Sequence, residues 1–210
     1  MKYTIHFKTL MAIIVSVTFY ILLVSSVDAR IDERRESIER RLFASGGILY
    51  RDDEIEASRR RGMPYMRYLQ YLPDSADIRI YFKTSNGSRP TSSELEQKRM
   101  SEGWDLHVVY VGGKSVIELY RRSHGITDFE TNHLLNLHSG GGYWKRTSEE
   151  EKEDIVSAFG FEMVRSDGSV RAKKIGGDKL MFIETETDEF LAETNINELQ
   201  QSAPISVNGF

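Results

Sequence analysis

Four histidines, His107, His124, His133 and His138, lie between residues 107 and 138, interleaved with Glu118 and Glu130. Imidazole and carboxylate are the groups that acid–base catalysis and zinc binding use near neutral pH. A zinc centre would need three or four of them to converge. His133 and His138 are five residues apart, about 140° around a helix, so they cannot clamp one ion from a helical face. Glu130 and His133 have the i, i+3 spacing of di-iron carboxylate sites, which need two such motifs and two further glutamates. This chain has one motif, so neither a metal nor a cofactor is expected. For His133 the expectation is a half-buried helix histidine. Ser115 and Ser139 lack the G-x-S-x-G setting that exposes a nucleophilic serine. The residues left as catalytic candidates are His107, Glu118 and His138.

HSGGGYW, residues 138–144, has the composition of a loop that could cradle phosphate. Phosphate-binding glycines, however, follow a strand and open a helix, whose first N–H groups hold the anion. Here the glycines close a helix, so they read as a C-cap and a turn. A helix C-terminus carries partial negative charge and suits a cationic His138. Tyr143 and Trp144 are expected to return the chain to the core.

The candidates are positioned by a few elements. WDLHVVYV-GG-KSVIELYRR, residues 104–122, is two alternating runs around Gly112-Gly113, the signature of a two-residue hairpin. Counting back from Val111 opposite Lys114 puts Val108 opposite Ile117, Leu106 opposite Leu119 and His107 opposite Glu118. Directly opposed Cβ atoms lie about 4.5–5.5 Å apart, which predicts a His107 held cationic by Glu118, with its pKa raised. Thr127-Asp128-Phe129-Glu130 is a capping box that opens a helix to about His138, with Ile126, Phe129, Leu134 and Leu137 on one face. A second box, Ser148 to Glu151, leads to Ile155, Val156 and Phe159. DIRIYFK (77–83), the two arms around Asp167-Gly168 and KLMFIET (179–185) read as strands. The Asp167-Gly168 turn puts Met163 opposite Ala172. Residues 88–103 read as a polar connection and a hinge.

Residues 31–44 form a helix with Ile31, Ile38 and Leu42 at helical spacing, ended by Gly46-Gly47. Residues 51–62 are nearly all polar, and Arg59-Arg60-Arg61 reads as a solvated charge run. The expected fold is therefore α+β: an antiparallel sheet of about five strands with two short helices, spanning 75–190. A charged helical arm and linker (30–74) precede it, and a polar flexible tail (191–210) follows.

The chain has 210 residues, no cysteine and a formal charge of −4. Lys2 and Lys8 precede the uncharged run Leu10–Ser26, and Val27-Asp28-Ala29 has the small residues of a cleavage site. That is the layout of a secretory signal peptide, and a retained inner-membrane anchor is the alternative. Residues 1–29 are read as this leader, with the mature chain starting at Arg30 and the protein periplasmic or extracellular. Without disulfides or thiolate chemistry, an exported domain of this size points to a bacterial envelope. The acidic balance excludes the basic stripe that nucleic-acid binding needs. The partner expected is another envelope protein, with membrane contact only through an uncleaved leader.

Gly112-Gly113-Lys114, Glu118 and Tyr120-Arg121, then Glu130, Leu134-Leu135, Gly140-Gly141 and Trp144-Lys145, and Arg165 with Asp167-Gly168 and the final strand form a pattern over 104–185. It resembles small exported bacterial proteins of unknown function, a resemblance that implies no activity. The helix-then-hairpin order also resembles small outer-membrane assembly lipoproteins, from which this chain departs in lacking the lipid-attachment cysteine. The function expected is a non-catalytic binding or interaction domain, and the alternative is a small hydrolase with a His–carboxylate pair.

Overall fold

Alternating residues on eight strands build one antiparallel sheet, seen in a computed structural model that describes residues 30–91, 102–153 and 155–202. The leader and most of the polar connection, from 92 to 101, lie outside the described residues. The strands are β1 (Ile48–Leu49), β2 (Asp77–Thr84), β3 (Gly103–Val111), β4 (Lys114–Arg122), β5 (Trp144–Arg146), β6 (Met163–Arg165), β7 (Val170–Ile175) and β8 (Lys179–Glu184). Their order is β1-β2-β3-β4-β8-β7-β6-β5. The fold is α+β as expected, with eight strands rather than about five. The extra ones are short segments, too brief for alternation to register. β1 has two residues and β5 three, and both lie at the edges, where short strands offer little backbone for unwanted pairing.

Helices cover both faces. Over the first lie α1 (Arg35–Ala44) and α3 (Asp128–Leu137), packed on Tyr81, Leu106, Val108, Tyr120, Leu180 and Phe182. The 3-10 helix (Pro64–Tyr71) and α5 (Thr185–Ser202) pack on the second face, on Val109, Ile117, Leu119, Met181 and Ile183. α2 (Asp53–Arg60) and α4 (Glu149–Glu153) complete the helical segments among the described residues.

The charged helical arm packs against this body. Ile38 is fully buried and Ile31 nearly so, each contributing about 1.5–3 kcal/mol relative to an exposed side chain. Ahead of α1 the backbone pairs with the β3–β4 hairpin: Asp32 N–H donates to Ser115 O and Ser115 N–H to Glu33 O. Arg59 is not solvated either. It pairs at 2.8 Å with the buried Asp105, and Arg60 pairs with Glu56.

The tail is helical through Ser202, with Leu191 and Ala192 buried. No apolar period announced it, because a buried ion pair fixes its first turns. Asp188 and Arg171 meet at 2.7 Å, and Asp188 also accepts the N–H groups of Ala158 and Phe159.

The main correction concerns register. Gly112 and Gly113 both have positive φ, 59° and 79°, as the tight turn requires, and Val111 does face Lys114. A bulge at Val116 then adds one residue to β4, so that Val109 faces Ile117, Val108 faces Glu118 and His107 faces Leu119. One extra residue sends every later side chain of β4 to the other face. Glu118 and Tyr120 thus join the first face, while His107 points to the second.

Candidate functional site

The bulge separates His107 from Glu118 and brings Glu118 to His138. Tyr120 follows Glu118 by two residues, so strand alternation puts both on the first face. His138, the C-cap residue of α3, reaches the same place from above. The Tyr120 hydroxyl donates to Glu118 Oε2 at 2.8 Å and lies 3.2 Å from His138 Nε2. Glu118 Oε2 and His138 Nε2 are 3.6 Å apart, and both side chains are wholly inaccessible. Phe182 stacks on the imidazole at 3.7 Å with the rings within 5° of parallel. Arg30 reaches the Tyr120 oxygen at 3.4 Å.

Burial dominates the electrostatics of this cluster. It pushes the Glu118 carboxyl up to about 7, although the Tyr120 hydrogen bond and the guanidinium groups of Arg30 and Arg41 pull the other way. Burial, with Arg30, Arg41 and Arg165 acting in the same direction, holds His138 well below the usual imidazole range. The expected cationic His138 at a helix C-terminus is therefore corrected. The desolvation of a sealed ring outweighs a terminal dipole. Glu118 Oε1 and His138 Nδ1 are buried without a hydrogen-bond partner.

His107 is buried on the second face, and its Nδ1 lies 2.8 Å from the Tyr65 hydroxyl. Burial, then Arg121, Arg59 and Arg60, push its pKa down to about 3. This reverses the expected rise, since no carboxylate faces the ring. A neutral imidazole accepting at Nδ1 carries its proton on Nε2, which has no partner. Ser115 is buried too, and its hydroxyl donates to Arg30 O. His124 and His133 are exposed. Among the described residues no three His, Asp or Glu side chains converge as a metal site would.

The α3 helix begins as expected: Thr127 accepts from Glu130 N–H, and Glu130 returns to Thr127 N–H. After His138, Gly140 and Gly141 turn the chain with φ of 59° and 81°. Gly142 passes so close to Ser166 that a Cβ there would lie 2.5 Å from its Oγ. Trp144 returns to the fold, donating from its indole to Leu135 O, whereas Tyr143 stays exposed.

Above the cluster, α1, α3 and the first face enclose an open groove of about 510 Å³. Tyr120, Leu106 and Tyr81 contribute its floor from the sheet. Leu42 and Arg41 come from α1, and Phe129, His133 and Leu137 from α3. Phe129 is 81 % exposed, a large apolar ring left at the mouth. Arg30, Arg41 and Lys83 line the groove with a single carboxylate, Glu130, which its own helix cap and Arg122 already engage.

Of the three candidates, then, Glu118 and His138 meet and His107 stands apart. Sequence reasoning missed Tyr120, Arg30 and Arg41. For Tyr120 a signal existed, because strand alternation puts it beside Glu118 in any register. Comparison with protein-family models, curated proteins and solved structures finds no match for this chain.

Proposed function

We propose that this chain is an exported bacterial envelope protein whose α+β domain is a non-catalytic binding module, using the groove between α1 and α3. One observation carries the choice of binding over catalysis. The acid–base pair Glu118–His138 is fully inaccessible, while the groove above it is open and lined mainly by apolar and cationic groups. A catalytic acid or base must reach the substrate directly or through one water. Here Tyr120 covers the pair. A groove of this size over a rigid sheet also fits the range of small-molecule sites, about 300–1,000 Å³. Export rests on the leader at residues 1–29, and no helix of the described residues is long and apolar enough to cross a membrane.

The second reading, a small hydrolase, draws on the Glu118–Tyr120–His138 chain of polar contacts. A panel of chromogenic ester, phosphate and glycoside substrates separates the two. The expected outcome is no turnover by the wild type or by Glu118→Gln. Turnover that Glu118→Gln abolishes, with the fold intact, would replace binding with hydrolysis.

A further inference from the structure

Charge sorts the groove from the rest of the molecule. The whole chain is acidic, at −4, yet the groove is lined by Arg30, Arg41 and Lys83 and by one carboxylate, Glu130, which is already engaged; Glu33, behind the lining, pairs with Arg41 and leaves Arg30 and Lys83 as its surplus positive charge. Arg30 and Arg41 line the groove beside Tyr120. Arg41 is oriented there by Glu33, which binds its Nη1. Arg30 is held by a long contact to the Tyr120 oxygen, which leaves guanidinium donors to offer. The remaining lining combines leucines and aromatic rings with the polar Ser45, Thr84, Ser85, Asn86 and His133. Trp104 lies at the end of the sheet where Lys83 pairs with it, Leu106 and Tyr120 pair at mid-groove, and Phe129 overhangs the mouth.

We infer that the groove takes a single-chain carboxylate amphiphile, its headgroup at Arg30 and Arg41 and its chain along Leu42, Leu106, Trp104 and Phe129. Guanidinium binds carboxylate through paired, charge-assisted hydrogen bonds. A buried anion needs such a partner, and an apolar chain needs the aromatic and leucine walls that the sheet and the two helices supply. The neutral alcohol of equal length fits the walls and leaves Arg30 without an anionic partner. The ammonium of equal length meets like charge. This ligand class rests on the reading of the groove as a binding site.

The two tryptophans give the test an internal control. Trp104 lines the groove, whereas the Trp144 indole donates to Leu135 O outside it. Octanoate, octan-1-ol and octylammonium are titrated into the purified, detergent-free protein, and both indole N–H signals are followed by NMR. Octanoate is expected to move Trp104 and leave Trp144 in place. Octan-1-ol should bind at least about tenfold more weakly, the effect of one charge-assisted hydrogen bond, and octylammonium should not bind. Arg30→Gln should erase the advantage of octanoate over octan-1-ol. Arg41→Lys should reduce it, with an unchanged denaturation midpoint showing that the fold survives. Equal binding of octanoate and octan-1-ol, unaffected by Arg30→Gln, would overturn the carboxylate headgroup and leave the groove a binding site. No Trp104 response to any of the three would overturn the amphiphile altogether. The binding reading itself falls only to turnover in the substrate panel.

Discussion

Glu118 is sealed with one oxygen unpartnered, so it ionises less readily in the folded chain than in the unfolded one. A carboxyl with a raised folded pKa stabilises fully below its unfolded pKa and loses that contribution as pH rises through the folded value, here about 7. His107 and His138 act in the opposite sense. Their folded pKa values are lowered, so their contribution is present above the unfolded imidazole value near 6.5 and is lost as pH falls. The slopes overlap between the ordinary carboxyl value of 4.5 and the imidazole value of 6.5, where two histidines outweigh one carboxyl, so stability should rise with pH to about 6.5 and fall slightly up to about 7. Glu118→Gln keeps an acceptor for Tyr120 and removes the carboxyl's slope. Between pH 5 and pH 8, urea denaturation of the variant should show a stability change about 1–3 kcal/mol more favourable than that of the wild type. An unchanged slope would mean that Glu118 is hydrated. At this scale the residue types were legible and their partners were not. Glu118 and His138 were visible as ionisable groups, but their meeting depends on a helix end and a strand residue 20 positions apart in sequence.

Asp188 holds α5 to the sheet with a buried charge rather than with an apolar stripe. It accepts from Arg171, Ser157 and two backbone N–H groups. Asp188→Ala takes the shared acceptor from all four donors and leaves Arg171 with Val156 O and the much more exposed carboxylate of Glu189. Breaking a buried pair in this way costs about 3–5 kcal/mol, to be read from the denaturation midpoint. A loss below about 1 kcal/mol would mean that α5 is held by other contacts. The same scale shows why elements with a strong local signal were readable and others were not. The α3 capping box, the Gly112-Gly113 turn and the Met163–Ala172 register follow from neighbours in sequence. The Val116 bulge follows from a segment eighty residues earlier. The arm's backbone takes the N–H and C=O of Ser115, and counting from the turn cannot see it.

The arm, the sheet and the two helical layers fold as one body, which makes the arm a test of the whole molecule. A chain beginning at Gly47 loses Ile31, Ile38 and the backbone pairing at Ser115. The expected cost is about 3–6 kcal/mol, against a total of about 5–15 for an ordinary domain. That truncation should unfold or melt far lower than a chain beginning at Arg30. Equal melting would show that the arm adds nothing to the stability of the sheet. Charge dominates the sequence of α1 because its buried side is only one isoleucine wide, with Ile38 its sole buried residue.

The central claim is that a sealed Glu118–His138 pair lies beneath an open binding groove. NMR titration of the imidazole rings tests it most directly. Over about pH 5 to pH 8, where an unperturbed histidine changes charge, the His138 ring should stay neutral with constant shifts. A His138 ring that takes up a proton within that range would show that water reaches the pair, and the account of a closed, non-catalytic site would fail.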